Sequence, residues 1–255
     1  MDELELMSKA SQLRRYLEVD SFAPIDIFAM AHGICGLTMV LYPMGEHMSG
    51  MCVKGEYGQC LIAVNSLMSL GRQRFSIAHE LFHKYYDKNL KAICAKLIND
   101  SCGREIEKQA DVFASHFLMP QCALDLQINR LSEAHDDGEL TIEDIVRIEQ
   151  HFGISHRAAM IRLKFARCFP KDKFESFYNE PDIRRIAEGL GFDGALYLPS
   201  PESKRYGCYG AYVGMAKTLL DNDLISNGKF EELLLDGFRA DLVYGDEETV
   251  EYAID

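Results

Sequence analysis

No stretch of this chain stays apolar for the ~18 residues that a membrane-spanning helix requires, so no part of it is expected to cross a bilayer. Cysteine occurs eight times but never as a Cys-x-x-Cys pair. That spacing argues against a zinc knuckle or a dithiol redox motif, and most of these cysteines read as reduced, small core residues. Positive charge is in short supply: 27 Lys and Arg stand against 40 Asp and Glu, for a net charge of −13. Such a surface disfavours non-specific nucleic-acid binding, which needs basic groups to displace counterions, yet it suits a basic protein partner. The opening residues Met1 to Leu6 are acidic and carry no apolar segment of signal-peptide length, so a cytoplasmic location is expected. Internal repeats and low-complexity tracts are also missing.

What the chain does have is a core. Its 255 residues are 47% hydrophobic and 10% aromatic, enough for one large domain or a medium one with an appendage. Chemistry concentrates in Arg74 to His83, where His79-Glu80-Leu81-Phe82-His83 forms a His-Glu-x-x-His motif within a helix-compatible apolar run. Residues four apart share a helix face, so both imidazoles can reach one ion while Glu80 lies on the flank, placed to act on a water. Phe75, Ile77, Ala78, Leu81, Phe82, Tyr85 and Tyr86 surround the motif, and buried histidines of this kind need partners that a metal would supply.

A catalytic zinc normally takes three protein ligands, so a third is expected downstream. Residues 105–120 read as an amphipathic helix closed by Pro120, with Glu107 and Asp111 one turn apart. One carboxylate can reach the ion while the other accepts a hydrogen bond from a ligand imidazole and fixes its tautomer. Glu107 is the favoured third ligand and Asp111 the imidazole partner, with Glu105, Asp87 and His116 as the alternatives. Zinc is the expected ion, although two imidazoles and a carboxylate also suit manganese or iron.

These residues resemble the ImmA/IrrE family of metallo-endopeptidases. The likeness rests on His79-Glu80-Leu81-Phe82-His83, on Glu107-Lys108-Gln109-Ala110-Asp111-Val112-Phe113-Ala114 and on Phe117-Leu118-Met119-Pro120. Ser49-Gly50-Met51, Ile62-Ala63-Val64-Asn65 and His151 to Ser155 followed by Arg162-Leu163 add to it, over roughly residues 24–167. The resemblance implies zinc on His79, His83 and Glu107, Glu80 as the catalytic base, and a narrow substrate. That substrate is typically a helix-turn-helix repressor whose cleavage releases stress-response or mobile-element genes. Phe82 stands where the family often carries glycine, and a ring there would narrow the space beside the metal.

The pattern along the chain predicts an α+β fold: a zincin-like metallopeptidase domain with a small antiparallel or mixed sheet, a helical hairpin, and a small α-rich C-terminal region. Residues 1–20 form an N-terminal helix, 21–168 the metallopeptidase domain with a helix-turn-helix-like hairpin at 141–167, and 169–255 the C-terminal region with an acidic tail. Alternation near 37–42, 50–53 and 59–64 marks three strands, and the 49–65 region is the candidate edge for an extended peptide. Phe169 to Lys173 reads as a linker. Three functions compete: a zinc endopeptidase, a non-proteolytic protein that binds a repressor or toxin, and a DNA reader using 141–167. The near balance of basic and acidic residues in that hairpin disfavours the last. Tyr85, Tyr86 and His47 are the candidate oxyanion donors.

Overall fold

A computed structural model describes residues 1–55, 57–87, 93–94, 101–166 and 168–245. The expected acidic tail at 246–255 lies outside the described residues. Chain order begins with α1 (Glu3–Tyr16), α2 (Ile27–His32), β1 (Leu37–Tyr42), β2 (Gly50–Lys54) and β3 (Cys60–Asn65). It continues with α3 (Leu70–Tyr86), β4 (Ile93–Cys94), α4 (Ser101–Leu118), α5 (Gln121–Ser132), α6 (Ile142–Phe152) and α7 (His156–Phe165). The remainder holds α8 (Lys171–Tyr178), α9 (Ile183–Gly189), β5 (Gly207–Gly210), α10 (Ala211–Asp221), α11 (Asn227–Asp236) and α12 (Ala240–Tyr244). The architecture is α+β, as the pattern predicts. Among the described residues no helix is long and apolar enough to cross a membrane.

The sheet is mixed, in the order β4-β2-β3-β1-β5. β1 and β3 run parallel with Leu37 opposite Cys60, whereas β2 is antiparallel to both β3 and β4, and β5 to β1. One face of this sheet is sealed by α3, whose Ile77, Ala78 and Leu81 join Cys52, Ile62 and Val64 in the main core. α4 packs along α3 through Phe113, whose ring lies 5.5 Å from those of both Phe82 and Tyr86. α1 lies against α4 with Leu6, Ala10 and Leu13 buried at helical spacing, and its first turn is capped by Asp2, which accepts from the Glu5 amide at 2.8 Å. Arg14 on that helix is buried and donates to the carbonyls of Phe117, Asp20 and Ala23.

The hairpin of α6 and α7 is built as its sequence suggests. Thr141 and Asp144 form a reciprocal capping box, Gly153 ends α6 in the left-handed conformation at φ 64°, and Ser155 caps α7. Its turn presses on the start of α3, where Gly71 lets the Ser155 backbone approach. Buried Glu149 joins the two helices by pairing with His156 at 2.6 Å and ties the hairpin to a later segment by accepting from the Tyr197 hydroxyl at 2.8 Å.

The segment after 168 is less separate than a linker implies. α8 begins at Lys171, within the stretch read as a linker, because Pro170 fixes a helix-compatible start and Phe174 and Phe177 pack against the main core. β5 extends the sheet beside β1, and the Leu198 carbonyl accepts from the Leu70 amide at 2.8 Å at the first turn of α3. Buried Gln73 donates to the Met68 carbonyl at 2.7 Å and to Ser200 at 3.1 Å, closing that junction.

Candidate metal centre

On α3, His79 and His83 stand one turn apart with their Nε2 atoms 3.2 Å from each other. Packing of Phe113 against Phe82 sets α4 at the distance where Glu107 meets both rings: Oε2 lies 3.1 Å from His79 Nε2, and Oε1 lies 3.4 Å from His83 Nε2. The opposite ring nitrogens are pinned. His79 Nδ1 pairs with Asp111 at 2.9 Å, and His83 Nδ1 with buried Asp87 at 3.2 Å. A carboxylate at Nδ1 keeps the proton there, so both Nε2 lone pairs face one point. Two lone pairs at that separation repel unless a proton or a cation lies between them.

The donor set fits a metal. Bonds of about 2.0–2.1 Å in a tetrahedron put neighbouring ligand atoms about 3.3–3.4 Å apart; the two Nε2 atoms stand 3.2 Å apart, and each lies 3.1–3.4 Å from a different oxygen of Glu107, Oε2 for His79 and Oε1 for His83. Glu107 Oε1 is buried without a hydrogen-bond partner, an acceptor that a cation would satisfy. His79, His83 and Glu107 thus form a cluster able to hold a metal ion, with all three ligand atoms inside 4.8 Å.

Electrostatics in the metal-free cluster follow from burial and neighbours. Burial pushes the Glu80 carboxyl up to about 7, with the His79 charge opposing and Glu107 reinforcing the rise. For His79, burial disfavours the charged ring, but bonds to Asp111 and Glu107 outweigh it and raise its pKa to about 10. His83 is shifted down, by burial first and then by the charge on His79. Glu80 is sealed against β2: a Cβ at Gly50 would come within 3.3 Å of Glu80 Oε1 and 3.1 Å of the Ala63 carbonyl. That glycine therefore makes room for the carboxylate beside the cluster.

Residues 41–164 match the model of the IrrE N-terminal-like domain. That stretch is similar to an IrrE-type domain. A curated relative, the radiation response metalloprotease IrrE of Deinococcus deserti, is 30% identical over 110 residues. That match covers 41% of this chain and 37% of the relative, so the chain aligns with well under half of that protein's length.

The cluster opens onto a cleft of about 920 Å³ bounded by α3, α4, α7 and the 46–50 segment. Of the alternative ligands, Asp87 lies behind His83, and Glu105 is exposed outside the cluster. His116 also stays outside it, although it lines the far end of the same cleft, where Arg162 donates to its Nδ1 at 3.1 Å. Phe82 does not narrow the cleft. It is buried between α3 and α4, its ring contacting Tyr86 and Phe113, because position 82 falls on the core side of α3. Neither do Tyr85 and Tyr86 face the cluster: Tyr85 meets Tyr16 edge to face, and the Tyr86 hydroxyl donates to the Lys9 carbonyl. His47 does line the cleft.

Arg72 was not among the residues read from the sequence, yet it lines the cleft and donates to Ser49 Oγ at 3.1 Å. The signal was available, since Arg72, Ser76, His79 and His83 follow one helix face. Among the described residues Cys52, Cys60 and Cys208 are buried free thiols, the first two with sulfurs 3.3 Å apart, whereas Cys35 and Cys122 are exposed rather than in the core.

Proposed function

We infer that this protein is a metal-dependent endopeptidase with zinc as its ion. One observation carries the reading: two imidazole Nε2 atoms and the Glu107 carboxylate converge, with one ligand atom from each residue within 4.8 Å of the others, while Asp111 and Asp87 hold the far side of each ring. A zinc ion there would supply a Lewis acid and draw the pKa of a bound water toward neutrality. His79, His83 and Glu107 would hold it, and manganese or iron would fit the same donors.

Glu80 serves as the general base. Its carboxylate, buried beside the cluster, takes the proton from the attacking water and delivers it to the leaving amine. An extended peptide lies along the 47–50 segment; β4 occupies the β2 edge at Met51 and Cys52, so strand addition is confined to that end. His47 and Arg72 are two of the cleft's side chains that can donate to the developing oxyanion. Family resemblance points to a helix-turn-helix repressor as substrate, in a cytoplasmic stress-response or mobile-element circuit. The net charge of −13 suits a basic partner of that kind.

The test is incubation of zinc-loaded protein with the helix-turn-helix protein encoded beside its own gene, followed by mass spectrometry of fragments. Discrete cleavage that a chelator and Glu80→Gln both abolish is the expected result. Cleavage that survives both treatments, or an intact partner throughout, overturns the reading.

A further inference from the structure

The hairpin of α6 and α7 has the outline of a DNA-reading motif, but its second helix is turned elsewhere. Ala159, Met160 and Leu163 of α7 are buried in the main core. Ala158, Ile161, Arg162 and Phe165, spaced i, i+3, i+4 and i+7, share another face, and all four line the cleft that holds the metal cluster. Ile161 is 42% exposed and Phe165 62% exposed, two large apolar side chains one helical turn apart on the wall of the cleft. Phe75 from α3 and Val112 from α4 border the same space. Val112 follows directly on Asp111, the partner of His79, so this wall begins next to the cluster rather than in a separate groove.

We propose that α7 is the substrate-reading helix of this cleft, and that Ile161 and Phe165, with Val112, Phe75 and Ala158, receive a large apolar side chain of the bound peptide close to the scissile bond. The inference deepens the endopeptidase reading and rests on it. Its reach is set by geometry. Along α4, Val112 to Ser115 lie about 8–12 Å beyond Glu107, at 1.5 Å per residue. An extended peptide advances about 3.3 Å per residue. The wall therefore meets the side chains of the first few residues to one side of the scissile bond. Arg162 closes the floor. It is buried and held by Gln121 at 2.6 Å and His116 at 3.1 Å, which fixes the pitch of α7 against α4. Arg162, the hydrogen-bonding side chain of this face, is buried and engaged by Gln121 and His116, whereas Ala158, Ile161 and Phe165 can each bury an aliphatic or aromatic group.

The experiment uses the zinc-loaded full chain carrying Glu80→Gln, so that binding is read without turnover. Fluorescein-labelled dodecapeptides of Gly, Ser and Lys, with a single central Leu, Phe, Ala or Asp, are titrated by anisotropy. The Leu and Phe peptides are expected to bind about 10–200-fold tighter than the Ala and Asp peptides. Adding Ile161→Ser and Phe165→Ser, both exposed positions, should erase most of that difference while thermal unfolding stays near the parent's. Equal binding of all four peptides, no binding at all, or a preference unaffected by the two serines overturns the assignment. Incubating the wild-type protein with the Leu peptide separates the two readings. Selective binding without hydrolysis refutes the endopeptidase while leaving the α7 wall standing, and hydrolysis indifferent to the central residue does the reverse.

Discussion

Gly71→Ala sets two physical effects against each other. In an exposed helix the change should stabilise by up to about 1 kcal/mol, because glycine loses more backbone freedom than alanine on folding. Position 71 is not free to accept a methyl group. A Cβ there would sit 2.6 Å from the Ser155 amide nitrogen and 2.8 Å from the Ile154 carbonyl carbon, against an ordinary contact of about 3.5 Å. Both opposing atoms are backbone, in the turn that joins α6 to α7, so no side chain can swing aside. Overpacking of this kind costs about 1–3 kcal/mol, and backbone on both sides places it at the upper end. The net expectation is a loss of about 2 kcal/mol, or a fall in Tm of about 4–8 °C for a chain of this size. Urea unfolding should show a lower midpoint at unchanged m. Gly214→Ala, at an exposed site on α10 with nothing within 4 Å, is the control and should gain about 0.5–1 kcal/mol. An unchanged or higher Tm for Gly71→Ala would refute the close packing of the α6–α7 turn on the metal helix.

Metal affinity should respond to both carboxylates behind the rings: Asp87→Asn and Asp111→Asn are each expected to weaken zinc binding about 10–100-fold in chelator competition. The effect should be larger at Asp87, whose side chain is 3% exposed against 61% for Asp111; the opposite order would show that burial does not govern these bonds. In the metal-free protein Glu80 has a folded pKa raised by burial to about 7, above its unfolded value, so the native state holds the extra proton and stability is lost as pH rises from about 4.5 through 7. Glu80→Gln removes that loss, and its metal-free form should exceed wild type by up to about 3 kcal/mol at pH 8 and by nothing near pH 4; equal pH profiles in urea unfolding would contradict it. Truncation after residue 168 removes β5 and the Leu198 and Ser200 contacts to α3, so the shortened chain should lose zinc binding together with helical circular dichroism. A folded, zinc-binding truncation would show those contacts to be dispensable.

Much of the candidate metal centre was legible because the residues that could hold an ion fall in two short helical segments. His79 and His83 are one turn apart, as are Glu107 and Asp111, so local periodicity alone puts each pair on a common face. Asp87 was less legible. It was weighed as a ligand, and its role behind His83 depends on where α3 ends and how its last residue turns back. Phe82 misled for a similar reason: its place next to His83 in sequence suggests proximity to the ion, while its angle on the helix sends the ring into the core. β5, only four residues long and containing two glycines, carries no alternation strong enough to mark a strand. β1 supplies the edge that makes it one.

By itself the amino-acid sequence determined the chemistry: which donors exist, which share a helix face, and that the chain holds an apolar core with an acidic surface. Those are properties of near neighbours, fixed by backbone geometry within a turn or two. Tertiary packing alone decided how far apart α3 and α4 stand, and hence that one candidate ligand atom from each of His79, His83 and Glu107 comes within 4.8 Å of the others. It also turned α7 toward the cleft and tied the 198–210 stretch to the metal helix. Such contacts join residues far apart in the chain, and the energy that selects them comes from burying the Phe113 side and the α6–α7 turn against α3, which no local pattern encodes.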